Sequence, residues 1–210
     1  MPLNTDNNEK RARFDALPSP EVSSEAVRNI PVAGGGYVSR IVDWLKSKGV
    51  LGQYKNNETG WDNIVVCKTS VKSVAHHKAR EGKIALLEVA PDLIKNGVFL
   101  ETNPKNDNGL ISHIFAGKAT VDGVPYAVSY VIREDKNGRR YYDHSLTKIE
   151  ALDRIDDQAL AQYTDRKSTG TQHQLIWPSA QPAGEESTVN ILKKHLGVNT
   201  QKINSNPISS

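Results

Sequence analysis

The sequence has a single cysteine, few aromatic side chains and no long apolar segment. Cys67 is the only cysteine among 210 residues, so an internal disulfide is excluded and a reducing compartment is compatible. No run of about eighteen apolar residues occurs, which excludes a transmembrane helix. Residues 1–10 also lack the charged-then-apolar order of a secretory signal. We therefore expect a cytoplasmic protein that does not contact a membrane.

Composition limits how much of the chain can pack. Hydrophobic residues make up only 37% of the sequence, which predicts that part of it lies outside a core. We expect an N-terminal tail at 1–33, an α+β domain at 34–177, and a linker, short helix and C-terminal tail at 178–210. The formal net charge of +3 mildly favours a phosphate-bearing partner. The alternative is that these charges belong to an ordinary solvated surface.

Hydrophobic periodicity places the early elements. Apolar residues at i, i+3, i+4 and i+7 predict a helix over 37–48 that ends at Gly49. A short β-branched run at 63–68 predicts a buried strand, and Ser70 can cap a helix that carries His76 and His77. Further short helices and a strand at 98–102 are predicted next. Helices therefore dominate the first part of the predicted domain and strands dominate the second part.

Two turn dipeptides, Asp122-Gly123 and Asn137-Gly138, divide 111–147 into three alternating segments. Asp-Gly and Asn-Gly supply the positive φ angles of tight turns, so the segment predicts a three-stranded antiparallel meander. If both loops have two residues, Phe115 lies opposite Tyr130, and Arg133 lies opposite Tyr142. The predicted fold class is α+β, with helices packed on one face of an antiparallel sheet.

This register separates the side chains into two faces. The core face is predicted to hold Phe115, Val121, Tyr126, Val128, Tyr130, Ile132 and Tyr141. The open face is predicted to hold Ser112, Lys118, Ser129, Arg133, Tyr142 and His144. His113 falls on the core face opposite Ile132, so we expect a buried, hydrogen-bonded histidine. A bulge at Gly117 would instead turn it to the open face.

The histidines are the residues that could carry chemistry. Of the adjacent His76 and His77, only one can face a given cleft; it could act as an acid or base beside the phosphate-binding Lys78 and Arg80. The alternative is two surface histidines near a helix end. Neither these residues nor Cys67, His113 and His144 show metal-ligand spacing, so we expect no metal and no cofactor.

His144, Tyr142, Arg133 and Ser129 would share the open face. Such a set can cleave RNA without a metal: a base takes the 2′-OH proton, the oxygen attacks phosphorus, a cation stabilises charge, and an acid protonates the leaving 5′-oxygen. The alternative is a solvated hairpin face with ordinary polar residues.

Five sequence blocks carry a family resemblance: NETGW at 57–61, SVAH at 73–76, PDLI at 91–94, SHIF at 112–115 and YYDHSLTKIE at 141–150. Over about residues 55–150 they resemble the large polyvalent protein-associated domain of phage and mobile-element proteins, itself similar to the barnase/RelE/EndoU-like ribonuclease superfamily. The resemblance implies an α+β fold with a metal-independent nuclease site. By this resemblance His76 matches the family's helix histidine, Tyr142 and His144 match its last-strand motif, and His113 matches a strand start. Because the histidine is doubled in this sequence, either His76 or His77 can occupy the helix position of the family.

The leading hypothesis is an endoribonuclease-like toxin or phage-delivered domain. His76 and His144 would share acid/base work, and Tyr142 would position the substrate. Arg133, Lys78, Arg80, Ser129 and His77 would hold it. The expected partners are RNA, with tRNA as one candidate, and a cognate immunity protein or phage structural protein; carriage in the virion or delivery with phage DNA is compatible. The alternative is a non-catalytic nucleic-acid- or protein-binding module of a phage particle or transfer system.

Overall fold

The computed structural model describes residues 5–31, 36–71, 81–103, 110–151, 192 and 194–196. Within those ranges the helices are α1 (Thr5–Asp15), α2 (Ser24–Arg28), α3 (Tyr37–Ser47), α4 (Glu81–Ala85) and α5 (Ala90–Asn96). The strands are β1 (Glu21–Val22), β2 (Gly52–Tyr54), β3 (Ile64–Val66), β4 (Val98–Asn103), β5 (Ile111–Val121), β6 (Val124–Glu134) and β7 (Arg140–Ala151). Residues 68–71 and 194–196 are also helical. None of the described helices is long and apolar enough to cross a membrane.

The strands form one mixed sheet in the order β1-β5-β6-β7-β3-β2, with β4 also paired to β5. The predicted antiparallel meander is present as β5, β6 and β7. However, β1 runs parallel to β5 and β3 runs parallel to β7, so the prediction of a purely antiparallel sheet is wrong. Turn signals report only hairpin pairing, whereas these parallel pairs join strands that are distant in sequence.

The first turn of the meander has the predicted geometry. Asp122 and Gly123 both adopt positive φ, at 50° and 78°, as a type I′ turn requires. Phe115 therefore pairs with Tyr130 and His113 with Ile132, as the sequence predicted.

The second turn has a different geometry, and the predicted register is wrong there by one residue. Only Gly138 has positive φ, 74°, and its N–H donates to the Asp135 carbonyl at 2.9 Å. The Asp135 N–H donates to the Arg139 carbonyl at 3.0 Å, so the loop has three residues, 136–138. Arg133 consequently pairs with Tyr141, and Tyr142 pairs with Ile132. A shift of one residue exchanges the faces of the whole following strand.

The two faces of the sheet carry separate cores. Helices α3, α4 and α5 contribute to the main core, which includes Ile41, Leu45, Ile84, Leu93, Phe115, Tyr130, Ile132 and Tyr142. The opposite face carries an outer core of Phe14, Val98, Leu100, Ala116, Ala127, Leu192 and Leu196. The predicted packing of helices on one face is present for α3, α4 and α5, whereas α1 contributes Phe14 to the opposite face.

Residues 5–31, expected to be a tail, form α1, β1 and α2. Phe14 is the one large apolar residue of α1, so no apolar period could be detected in the sequence. The first hairpin turn stabilises the start of α2, because the Asp122 side chain accepts a hydrogen bond from the Ser24 N–H at 2.8 Å. The domain limits near residues 33 and 177 stay predictions.

Candidate functional site

Tyr142 and His144, assigned to the open face, lie in the core with no exposed surface. The Tyr142 hydroxyl is 2.8 Å from Nδ1 of His144 and 3.0 Å from the Thr147 hydroxyl. Nε2 of His144 is 2.6 Å from the carbonyl oxygen of Lys83. Because a carbonyl only accepts, Nε2 carries the proton and Nδ1 accepts from Tyr142. The three side chains form a closed network beneath α4.

An irregularity in β7 brings Thr147 into this network. Val131 pairs with Asp143, but Ser129 pairs with Lys148, so residues 144–147 face Tyr130 alone. Such a bulge breaks the alternation of faces. His144 and Thr147 are thereby both buried, although regular alternation would separate them.

Burial also fixes the protonation of the network. Burial lowers the pKa of His144 to about 3, and burial raises the pKa of Tyr142. Both groups are neutral and sealed from solvent at neutral pH. The prediction that they share an open face with Arg133 is wrong, and their catalytic assignment stays a prediction that this geometry does not support.

The remaining predicted site residues are separated. Arg133 lies on the opposite side of the sheet from Tyr142, where it pairs with Asp143 at 3.4 Å and donates to Ser112. Ser129 is buried at 2% exposure, so its assignment to an open face is also wrong. His76, His77, Lys78 and Arg80 lie outside the described residues.

The structure instead assembles polar groups around His113, at the end of β4, β5 and β6. Nδ1 of His113 is 2.9 Å from the Thr102 hydroxyl, and Nε2 is 3.2 Å from Oε2 of Glu134. A carboxylate only accepts, so Nε2 carries the proton and Nδ1 accepts from Thr102. The predicted buried, hydrogen-bonded histidine opposite Ile132 is confirmed.

Arg140 completes this group. Its Nε lies 2.7 Å from Oε2 of Glu134, yet the Nε–H makes no hydrogen bond within the described part of the chain, so this contact is an ion pair. Nη1 donates to Asn63 at 3.2 Å, and the guanidinium lies 4.3 Å above the Trp61 ring. We call Thr102, His113, Glu134 and Arg140 the strand-end cluster.

The strand-end cluster is partly exposed to solvent, and its acidic and basic groups have opposite effects on the pKa of His113. Thr102 is exposed, whereas the side chains of His113 and Glu134 retain 8% and 18% of their surface. Burial lowers the pKa of His113, an effect that Glu134 opposes and Arg140 reinforces. His113 is therefore neutral at neutral pH, with a free-base nitrogen directed at the most exposed member of the cluster.

The sequence analysis missed Thr102, Glu134 and Arg140. The correct first-hairpin register already places Glu134 two residues beyond Ile132, on the face of His113. Arg140 was missed because the one-residue register error put it on the other face. Among the described residues, no group of three or more His, Cys, Asp or Glu could hold a metal ion.

Comparison with protein-family models gives a match. The family model described as Large polyvalent protein-associated domain 3 matches residues 39–142, a span that begins in α3 and ends in β7. No curated protein and no solved structure matches the sequence. The matched span contains the whole strand-end cluster and Tyr142 but ends before His144. Residues 39–142 are thus similar to the large polyvalent protein-associated domain 3 family, which suggests a phage or mobile-element association.

Proposed function

We propose that this chain is an endoribonuclease that acts without a metal, with His113 of the strand-end cluster as its general base. The observation that supports this most directly is the orientation of the imidazole. Glu134 accepts from Nε2–H, which leaves Nδ1 as an acceptor for the hydroxyl of Thr102, an exposed residue. A base held in one tautomer by a carboxylate, beside a hydroxyl, is the arrangement that activates oxygen nucleophiles.

In the proposed reaction a ribose 2′-hydroxyl takes the place of the Thr102 hydroxyl. Nδ1 of His113 removes its proton, the 2′-oxygen bonds to the adjacent phosphorus, and the bond from phosphorus to the 5′-oxygen breaks. The products are a 2′,3′-cyclic phosphate and a 5′-hydroxyl. Glu134 stabilises the imidazolium that forms, because its carboxylate lies 3.2 Å from Nε2.

Arg140 is the phosphate-binding group of this proposal. Its guanidinium is fixed by the Trp61 ring and by donation to Asn63, so its positive charge is held beside His113 and Glu134. Charge that builds on the phosphate oxygens is stabilised by such a preoriented cation. The proton for the leaving 5′-oxygen is assigned to His76, which the sequence analysis proposed as an acid or a base.

A phage or mobile-element setting gives this activity a role. The substrate would be cellular RNA, with tRNA as one candidate, and expression would be toxic to the host. A cognate immunity protein or a phage structural protein would be the protein partner. The family-model match over residues 39–142 supports the phage or mobile-element setting, and the strand-end cluster supports the proposed chemistry.

The test uses the purified full chain and a labelled single-stranded RNA in excess EDTA. We expect cleavage to a 2′,3′-cyclic phosphate and no cleavage when the nucleotide 5′ to the scissile bond carries 2′-deoxyribose. His113→Gln should lower the rate by about 100-fold or more. Cleavage of the deoxy oligonucleotide, or loss of activity in EDTA, contradicts the mechanism.

His195→Gln is the matched control, because His195 also contacts a carboxylate, Glu101, but on the opposite face of the sheet. We expect it to retain full activity. Salt-sensitive RNA binding without any cleavage would instead identify the non-catalytic binding module.

A further inference from the structure

The end of β4 lies between the strand-end cluster and the outer core. Thr102 pairs with His113, and its hydroxyl is 2.9 Å from Nδ1 of that ring. The preceding residue, Glu101, contacts the opposite face of the sheet, where its Oε2 is 2.9 Å from Nζ of Lys194 and 2.8 Å from Nε2 of His195. A contact made on the outer face is therefore one residue away from the group that caps the proposed general base.

A bulge in β4 sets the direction of Thr102. The pairing of β4 with β5 shifts by one residue between Phe99 and Glu101, so Leu100 is an extra residue in the strand. Regular alternation from Phe99, which packs against the main core, would turn Thr102 to the outer face. The bulge turns it toward His113 instead.

The bulge is stabilised from the outer face. The Leu100 side chain is buried in the outer core, and its backbone carbonyl accepts from Nζ of Lys10 at 3.3 Å. The C-terminal segment, residues 192 and 194–196, contributes Leu192 and Leu196 to the same core. Because a bulged residue is unpaired in the ladder, such contacts outside the ladder hold it in place.

The Thr102 hydroxyl occupies the position that a ribose 2′-hydroxyl must take at Nδ1 of His113. The more firmly β4 is held, the less readily this hydroxyl gives way. We propose that the docked C-terminal segment inhibits the site by holding Thr102 on His113, and that release of the segment opens the base to RNA. This inference rests on the proposed function.

Full-length variants that release the segment test the proposal. Glu101→Lys places a cation against Lys194 and His195, and Leu192→Asp places a charge in the outer core. Each should raise kcat/KM by about three- to tenfold, the factor that corresponds to one hydrogen bond, mainly through a lower KM. The single change His195→Gln leaves Lys194 on Glu101 and keeps the segment docked.

Two further proteins control for charge. Glu21→Lys makes an equal charge change at an exposed site on β1 and should keep the wild-type kcat/KM. Adding Lys194→Glu and His195→Glu to Glu101→Lys restores opposite charges at the contact, so this triple variant should return to the wild-type value.

Thr102→Val distinguishes inhibition from a purely structural effect. It removes the hydroxyl while the segment stays docked, and it should raise kcat/KM by the same factor as Glu101→Lys. Combining the two substitutions should give no further increase, because both remove one contact. Nitrogen-15 NMR of His113 provides a readout without RNA: Glu101→Lys should move the Nδ1 signal to its position in Thr102→Val.

A kcat/KM for Glu101→Lys no higher than that of Glu21→Lys, with wild-type circular dichroism, would overturn the proposal. A wild-type Nδ1 signal in Glu101→Lys would also overturn it. If neither wild type nor any variant cleaves RNA, the proposed function fails, and with it the inhibition; the Nδ1 signal then reports separately whether the segment holds Thr102 on His113.

Discussion

The Tyr142 hydroxyl donates a hydrogen bond to Nδ1 of the buried His144 across 2.8 Å. The opposite ring nitrogen donates to the Lys83 carbonyl, so β7 is tied to α4 through a neutral imidazole. A neutral, sealed histidine of this kind stabilises one arrangement of strand and helix. The motif that most resembled a catalytic pair in sequence is thus part of the core.

We expect acid to destabilise the protein through His144. Its pKa is about 3 in the folded chain, against about 6.5 when unfolded, so the unfolded state binds more protons between these values. The contribution of His144 to stability is fully present above about pH 6.5 and is lost as the pH drops toward about 3. Over this range the group lowers the free energy of unfolding by at most about 1.4 kcal/mol per pH unit. Urea denaturation at several pH values measures the slope. In His144→Gln, which keeps a donor and an acceptor, the slope should flatten; an unchanged slope would contradict the account.

Tyr142→Phe should destabilise the fold by about 1–3 kcal/mol, because it leaves Nδ1 of His144 buried without a donor. It also removes the acceptor of the Thr147 hydroxyl. Tyr141→Phe is the adjacent control: that side chain is half-buried, and its change should stay within about 0.5 kcal/mol. Equal effects of the two substitutions, measured by chemical denaturation, would show that the network contributes nothing.

Gly97 should tolerate no side chain. A Cβ at this position would overlap the Tyr130 hydroxyl and lie 2.7 Å from the Leu93 carbonyl oxygen. These two groups hydrogen-bond to each other at 2.6 Å, so neither can move freely. Gly97→Ala should cost about 2–3 kcal/mol in the free energy of unfolding. Gly52→Ala, where a Cβ meets only ordinary contacts beyond 3.7 Å, should be near neutral; a similar loss there would disprove the steric explanation.

Local chemistry made part of this structure predictable. Asp122-Gly123 determines its own turn type, which fixed the β5–β6 register and the burial of His113. Asn137-Gly138 is compatible with two loop lengths, and Asp135 selects the longer one by accepting from the Asn137 and Arg139 N–H groups. That selection moved Tyr142 into the core and Arg140 beside Glu134.

Tertiary contacts account for the rest. The β7 bulge at 144–147 depends on packing against Tyr130 and α4, which no pattern within β7 reports. The parallel pairing of β3 with β7 brings Asn63 to Arg140. Thr102 of the strand-end cluster comes from the predicted strand at 98–102, and the other three members come from the predicted meander. Of the four residues, only His113 was named as a candidate from the sequence.

The pH dependence of RNA cleavage should show His113 acting as a base. Only its neutral form can take the 2′-OH proton, so the acidic limb of kcat/KM should lie below pH 6.5, because burial holds the pKa of His113 below its usual value of about 6.5. The general acid of the proposed reaction adds an opposite limb, on which the rate falls as that acid loses its proton. Glu134 opposes the shift of His113, so Glu134→Gln should move the acidic limb to still lower pH and reduce the maximum rate. An acidic limb at or above pH 6.5 would be inconsistent with His113 as the base.

The protonation state of the His113 ring is the most direct test of the proposed site. Nitrogen-15 NMR of the ring, assigned by the signals lost in His113→Gln, reports which nitrogen carries the proton. We predict that at neutral pH Nε2 carries the proton and Nδ1 is unprotonated, as the contacts to Glu134 and Thr102 require. The ring should titrate below pH 6.5, because burial lowers the pKa of His113. A proton on Nδ1, or a charged ring at neutral pH, would contradict the assignment of His113 as the general base.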